Sequence, residues 1–428
     1  MSEKIGYKDI FRQKEYMKMI IAALINRFGD SVDAIASAWI VYEVTGNAAW
    51  SAVIFALNKI PTVLVTPFAG AWVEGRNKKN IMVVTDIIRA ICVAIVATGY
   101  VFNFLSAWII ALTTLTISTV EAFRGPANTA LTPKILEKKY YEYGMSLMAT
   151  LSTVVELVGT ALAAGIIAVI GTAGAIYLDM LTFILSAVII MSVHTKEQSL
   201  QRQKFDAKEY LATLKDGIAY VKNEKAILFF VGFAVFANGI LVPFNSLQAP
   251  LTNEILGGGA EVLSILSIML MAGMLSGSTL YPILRKKLNS RMVVLLCGMG
   301  IGLFYLGMIL CAPLYENKWF MYMYVAVSSV LFGIVVMIFN SFLNIEMVRQ
   351  TNENYLARVA SVLVALSSAA TPIVAFVIGA VATVIDTEWL FIAAGVIDLM
   401  MLPFFLRSKV LDEEEERQVE IPVQVATE

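Results

Sequence analysis

Long apolar runs separated by short polar gaps fill the chain from residue 17 to residue 408. Each run approaches the ~20 residues that a helix needs to cross a bilayer. They fall at approximately 17–44, 49–73, 80–102, 106–130, 143–170 and 172–193. After a polar interval they return at approximately 226–251, 260–283, 291–313, 318–344, 357–384 and 387–408. The pattern predicts an all-α polytopic membrane protein with twelve transmembrane helices, split six and six. Residues 1–16 set Lys4, Lys8, Arg12 and Lys14 among Ile5, Ile10 and Phe11, the composition of a basic cytoplasmic segment lying on the inner membrane face. Residues 194–225 form the natural linker. There Tyr210, Leu211, Leu214, Ile218 and Val221 recur at helical spacing, which predicts an amphipathic helix on the inner leaflet. Residues 409–428 form an acidic tail, expected to be disordered.

The distribution of basic residues sets an orientation. Arg76, Lys78, Lys79, Lys134, Lys138, Lys139, Arg285, Lys286, Lys287 and Arg291 fall in one set of loops, whereas the opposite loops hold a single basic residue, Lys318. Because Lys and Arg accumulate on the inner side, both termini are expected in the cytoplasm and the chain in the cell membrane. Composition agrees: 15% of residues are charged, against about 25% in soluble domains, and the mean hydropathy is +0.75. One histidine and three cysteines, the latter in separate apolar runs, leave no zinc site or disulfide framework. No phosphate-binding GxxxxGK[ST] loop, HExxH or GxSxG pattern occurs. The glycine cluster Gly298–Gly302 lies inside an apolar run and reads as close helix packing. The chain is therefore not read as an enzyme, and neither a cofactor nor a nucleic-acid partner is expected.

Charges inside the spans need a reason, since an isolated charge at the bilayer centre costs about 2.5–3.5 kcal/mol on insertion scales. Asn26, Asp30, Asp33 and Ser37 follow i, i+4, i+7, i+11 and form one polar stripe on the first span. At about 1.5 Å of rise per residue, Asp30 and Asp33 fall near the midplane. So do Lys59 in span two and Glu156 in span five, with Glu121 slightly inward in span four. Lys59 lies too deep to reach the surface, so it is expected to pair with an acid or to lose its proton. A structural clamp with one aspartate is the alternative. Arg27–Asp30, Asp86–Arg89 and Glu121–Arg124 share i, i+3 spacing and read as local pairs. In the second six spans the mid-membrane polar residues are read as neutral: Asn238, Asn245 and Gln248 in span seven, Asn340 and Asn344 in span ten. They suit a large, mostly apolar substrate, or hydrogen bonds between helices.

Several motifs follow one another along the chain. Phe123-Arg-Gly-Pro126-Ala127-Asn-Thr-Ala130-Leu-Thr-Pro133 follows span four; Gly159-Thr-Ala-Leu-Ala-Ala-Gly165 and Asp179-Met-Leu-Thr182-Phe183 lie in spans five and six. LKDGIAYVKN runs from Leu214 to Asn223, and YLARVASV from Tyr355 to Val362. A shift of 208 residues lays Lys78-Lys79 on Lys286-Lys287, the kind of duplication found in two-half transporters. In this order the motifs resemble the major facilitator superfamily, in the branch that holds macrolide efflux proteins and the enterobactin exporter.

The resemblance implies the major facilitator fold: two six-helix bundles, 17–193 and 226–408, with a substrate site at their interface. Spans one, two, four and five would line the cavity of the first half. Spans three and six would face lipid, with Asp86, Arg89 and Asp179 near their ends. The implied function is secondary active transport by alternating access: proton-coupled efflux of an amphiphilic small molecule (a drug, macrolide or siderophore-like compound). The proton gradient would be the energy source, and a monomer in the lipid bilayer the working unit. Uptake symport on the same fold stays open, as does a membrane signalling or scaffold role without transport. The proton-coupling candidates are Asp33 and Glu156, then Asp30, with Glu121 and Lys59 in the same cavity. Crowded carboxylates cannot all stay ionised at low dielectric. Arg27 and Arg124 are expected to satisfy Asp30 and Glu121, leaving Asp33 and Glu156 to compete for Lys59. Substrate contacts are expected from Asn26, Asn238, Asn245, Gln248 and Asn340. The loop after span two, Gly70 to Lys79, has Glu where the family has Asp, a displaced basic residue, and Asn for the inner glycine. It implies a conformational switch at Glu74, Arg76 and Lys78, the alternative being plain topogenic charges.

Overall fold

In the computed structural model the described residues are 7–74, 76–195, 215–216, 218–351, 356–408 and 410–411. Every regular element among them is helical, and eight of the helices are long and apolar enough to cross a membrane. The chain divides into two compact units: Met1–Asp206 with Gly259–Ser264, and Ala207–Gly258 with Ile265–Glu428.

The first unit contains α1 (Tyr7–Ile10), α2 (Lys14–Thr45), α3 (Ala48–Leu64), α4 (Thr66–Glu74), α5 (Lys78–Val101), α6 (Ala107–Ile135) and α7 (Tyr141–Met191). Its helix starts are legible locally. Asn47, Asn77 and Ser106 accept backbone N–H groups from the first turns of α3, α5 and α6, as N-caps do. Gly46 ends α2 with φ 58°, a left-handed conformation that glycine adopts without strain. At the far end of α7 the Lys18 and Lys79 ammonium groups donate to Ser192 O and Val193 O, each at 2.8 Å. Cations there complement the negative end of the helix dipole. The expected second span is divided at Val65 into α3, of 17 residues, and α4. Pro61 and Pro67 flank the break, and neither can donate a ladder hydrogen bond.

Helix α7 runs for 51 residues, yet it is not one straight rod. A Cβ at Gly159 would lie 2.8 Å from Ser31 Cβ, and a Cβ at Gly29 would lie 2.1 Å from Thr182 Oγ1. A straight helix would hold positions 159 and 182 about 35 Å apart, but both touch the same turn of α2. The chain therefore folds back between them. The break is at Gly171, with φ 74° and ψ 168°, a conformation closed to residues with a Cβ. Two arms of α7 thus pack on α2.

The second unit contains α8 (Lys225–Ser246), α9 (Ala260–Arg285, whose first residues to Ser264 count with the first unit), α10 (Ser290–Leu310), α11 (Lys318–Gln350), α12 (Leu356–Val381) and α13 (Thr387–Leu406). Its core is aromatic, with Phe233 and Phe339 edge to face at 4.9 Å and Phe230 against Phe342 at 6.0 Å. Gly273 and Gly333 bring the α9 and α11 backbones together; a Cβ on either would come within 2.1 Å of a carbonyl oxygen of the other helix. Gly298 and Gly302 admit Leu402 and Leu399 of α13, so the glycine cluster does serve close packing. Helix α8 stops at Ser246, short of the expected 251. Near that end the buried Tyr305 hydroxyl accepts from Phe244 N–H at 3.2 Å and donates to Ile240 O at 2.6 Å. It is thus inserted into an i, i−4 backbone pair beside Pro243, and such insertion opens a helix. From the linker, Val221 is buried and Ile218 packs beside it in this unit's core. Tyr210, Leu211 and Leu214, and the tail from 412 onward, lie outside the described residues.

Candidate functional site

Asp86 on α5 is fully buried in the first unit. A carboxylate is tolerated there only if its lone pairs are filled. Arg124 of α6 donates Nε to Oδ1 at 2.6 Å and Nη2 to Oδ2 at 3.3 Å, while Ser186 Oγ of α7 donates to Oδ2 at 2.7 Å. Asn26 of α2 joins them and is 3% exposed. With its amide oriented to satisfy both ends, Oδ1 accepts from Arg124 Nη2 at 2.6 Å and Nδ2 donates to Thr182 O at 3.2 Å. One polar knot ties four helices.

A turn further along α5, Arg89 bridges two acids. Its Nη2 lies 2.7 Å from Asp30 Oδ1 and its Nη1 lies 2.8 Å from Glu121 Oε2. The guanidinium carbon sits 4.0 Å from the centre of the Phe183 ring, which keeps it buried and aimed. The two acids stay partly open: 35% of the Asp30 side chain and 49% of the Glu121 side chain are accessible. Arg27 of α2 pairs with Glu156 of α7. Asp33 is different. It accepts from Ser37 Oγ at 2.9 Å, one turn along the same helix, and among the described residues no ion pair engages it.

This arrangement corrects several readings of the sequence. The i, i+3 pairs Arg27–Asp30, Asp86–Arg89 and Glu121–Arg124 do not form; each arginine reaches across to a different helix. Spacing along one helix says nothing of which helix lies opposite, and cross-helix pairing fills the buried lone pairs that a local pair would leave open. Asp86, Arg89 and Asp179, expected near lipid-facing ends, are buried at 0%, 6% and 1% exposure. Lys59 has no carboxylate partner among the described residues; its Nζ lies over the Phe55 ring at 5.4 Å. The expected competition of Asp33 and Glu156 for Lys59 is therefore absent. Its cause is the packing of α7 on α2: Gly159 rests on Phe28 and Ser31, which sets Glu156, one turn earlier, beside Arg27. Asn26, expected to face substrate, has its amide committed to the knot.

In the second unit Asn238 and Asn340 donate to carbonyls on their own helices, Ala234 O and Val336 O, both at 2.9 Å. Asn344 does the same to Asn340 O at 2.8 Å. Asn245 is exposed and Gln248 half-buried. The reading of this half as neutral at mid-membrane fails at Asp398. It lies in the middle of α13, is 6% exposed, and its Oδ2 has no hydrogen-bond partner among the described residues. Its position in the sequence, at the middle of the last apolar run, is the signal that marks it, as it does Glu156 in span five. Glu346, at the end of α11, is fully buried between Arg349 at 3.2 Å and Arg285 at 3.5 Å.

At the loop after α4, Arg76 stacks on Trp72, 3.8 Å from the ring centre, and donates to Trp72 O at 2.8 Å. Lys78 is 4% exposed at the start of α5, so it is not a solvated surface charge. Glu74 closes α4; its side chain lies outside what the structure describes.

The chain is similar to known transporters along most of its length. It is 24% identical over 327 residues to an uncharacterized MFS-type transporter, YkuC, of Bacillus subtilis, covering 73% of this chain and 74% of the relative. It is 21% identical over 331 residues to macrolide efflux protein A of Streptococcus pyogenes, covering 77% and 80%. Among solved structures, the nucleoside transporter NupG superposes with a TM-score of 0.73 at 10% identity over 92% of this chain and 98% of that one, a likeness of fold alone. The model of the MFS_3 family, described as transmembrane secretion effector, matches residues 9–424. By that match, which takes in both units and every charged side chain of the knot, the chain belongs to the MFS_3 family of membrane transporters.

Proposed function

We propose that this transporter is a proton-coupled exporter of an amphiphilic small molecule, working by alternating access of two six-helix bundles built from twelve spans. The single observation that carries the reading is Asp33. It is a half-buried carboxylate on α2, the first expected span, and among the described residues a serine, and no cation, is its bonded partner. Around it the acids Asp30, Asp86, Glu121 and Glu156 are held, among the described residues, by three cations, Arg27, Arg89 and Arg124. Uncompensated charge at membrane depth is costly and marks ion pathways. A group that exchanges its proton with the two sides in turn, coupled to substrate, gives that cost a purpose.

In this reading Asp33 carries the proton. Arg89 redistributes between Asp30 and Glu121 as the charge nearby changes, because both acids already share its fork and remain partly accessible. Glu156 is held by Arg27 and serves the packing of α2 on α7 first. The likeness to proteins named for macrolide efflux supports export of a large, mainly apolar molecule. Asn238, Asn340, Asn245 and Gln248 would supply its hydrogen bonds, and Glu74, Arg76 and Lys78 the switch between access states. The test is accumulation in proteoliposomes under an imposed pH gradient, against a panel of macrolides, siderophores and dyes. Asp33→Asn should abolish gradient-driven accumulation while substrate binding weakens far less. Uphill transport by that variant at the wild-type rate would place coupling elsewhere, and a wild-type protein inert to the whole panel would favour a scaffold role.

A further inference from the structure

Two open grooves, one in each unit, share a design that the proposed proton and substrate sites do not use. In the second unit a groove of about 480 Å³ runs between the start of α8 and the end of α13. Its walls are Phe229, Met400, Pro403 and Phe404, and its rim is Arg407 with Ser408. Met400 and Phe404 are 73% and 68% exposed. In the first unit a groove of about 490 Å³ is walled by Trp72, Ile81, Val84, Ile88 and Phe123, with Arg76 at its rim. Each groove is therefore apolar along its length and cationic at one end.

We propose that both grooves hold anionic phospholipids, the acyl chain lying against the aromatic and aliphatic walls and the phosphate meeting the rim arginine. Three observations point to this occupant. Most of the walls belong to α5, α8 and α13, which are apolar enough to cross a membrane, so exposed Met400, Phe404 and Val84 meet hydrocarbon. The arginines stand at helix ends, where a headgroup lies: Arg407 is the C-cap of α13, and Arg76 precedes α5 by two residues. A further basic residue stands near each rim, Lys225 one turn before Phe229 on α8 and Lys79 after Arg76, alongside the acids Glu224 and Glu74. Stacking on Trp72 holds the Arg76 guanidinium in one plane at the groove mouth, ready for a phosphate. Juxtamembrane basic residues attract anionic lipid in just this setting.

The test uses the purified full chain in a neutral detergent, with phosphatidylglycerol, phosphatidylcholine or inorganic phosphate added. Native mass spectrometry should show two phosphatidylglycerols retained in preference to phosphatidylcholine, and thermal unfolding should shift upward with phosphatidylglycerol alone. Arg407→Gln and Arg76→Gln should each weaken one of the two sites by about fivefold, the worth of one basic contact with an anionic lipid surface. Met400→Trp, which fills the groove at an exposed position and leaves Arg407 in place, should remove the same lipid as Arg407→Gln. Equal retention of phosphatidylcholine, both lipids surviving in the double arginine variant, or a shift reproduced by phosphate alone would each overturn the proposal.

Discussion

Arg124 is the residue on which the buried knot depends. Without it, Asp86 would keep only Ser186 as a donor at full burial, and breaking a buried pair from one side costs about 3–5 kcal/mol. Arg124→Leu should therefore lower the thermal unfolding temperature sharply in detergent. Adding Asp86→Asn should recover part of the loss, because the orphaned charge goes with it. No recovery would mean that the two side chains act independently. Legibility at this scale was uneven. The stripe of Asn26, Asp30, Asp33 and Ser37 was visible because helical periodicity is written in one segment. The partners were not, because Asp86 meets Arg124 and Arg89 meets Asp30 only once three helices have packed. Asp398 is legible in the sequence, because an acid at the centre of an apolar run needs the same explanation in either half.

Helices and their breaks followed local chemistry closely. The caps at Asn47, Asn77, Ser106, Asn289 and Asn317 and the fold-back at Gly171 all stand at residues suited to them. The end of α8 did not, because it depends on Tyr305 of another helix as well as on Pro243. That hydroxyl satisfies Phe244 N–H and Ile240 C=O together. Removing a buried partner leaves both groups to find each other or go unpaired, at about 1–3 kcal/mol. Tyr305→Phe should accordingly lower the unfolding temperature of the full chain, an effect that thermal scanning in detergent would detect. An unchanged midpoint would mean that α8 closes its own ladder once the hydroxyl is gone, making Tyr305 a wedge rather than a brace.

Across the whole molecule, sequence and structure supply different halves of the account. Hydropathy gave the number of runs and their order, while the structure gives the way each unit buries its polar groups. The first unit concentrates paired charge: Arg27, Arg89 and Arg124 each engage acids from other helices. The second carries Asp398, whose Oδ2 has no hydrogen-bond partner among the described residues, and self-bonded asparagines. Such asymmetry suits the proposed proton-coupled exporter, in which one unit would handle protons and the other offer a mostly apolar surface, and in that proposal orientation matters, since a proton gradient acts in one direction. The basic residues predict that the turn after α8 faces outward. Asn253 lies in that turn, exposed, so a cysteine there has room to react without disturbing the core. The native cysteines leave a low background, as Cys92 and Cys297 are buried and Cys311 is half-buried. Asn253→Cys in intact cells should react with a membrane-impermeant maleimide, whereas Lys286→Cys, on the opposite set of loops, should react only after lysis. The reverse pattern would invert the orientation, and with it the side from which Asp33, the proposed proton carrier, would be loaded.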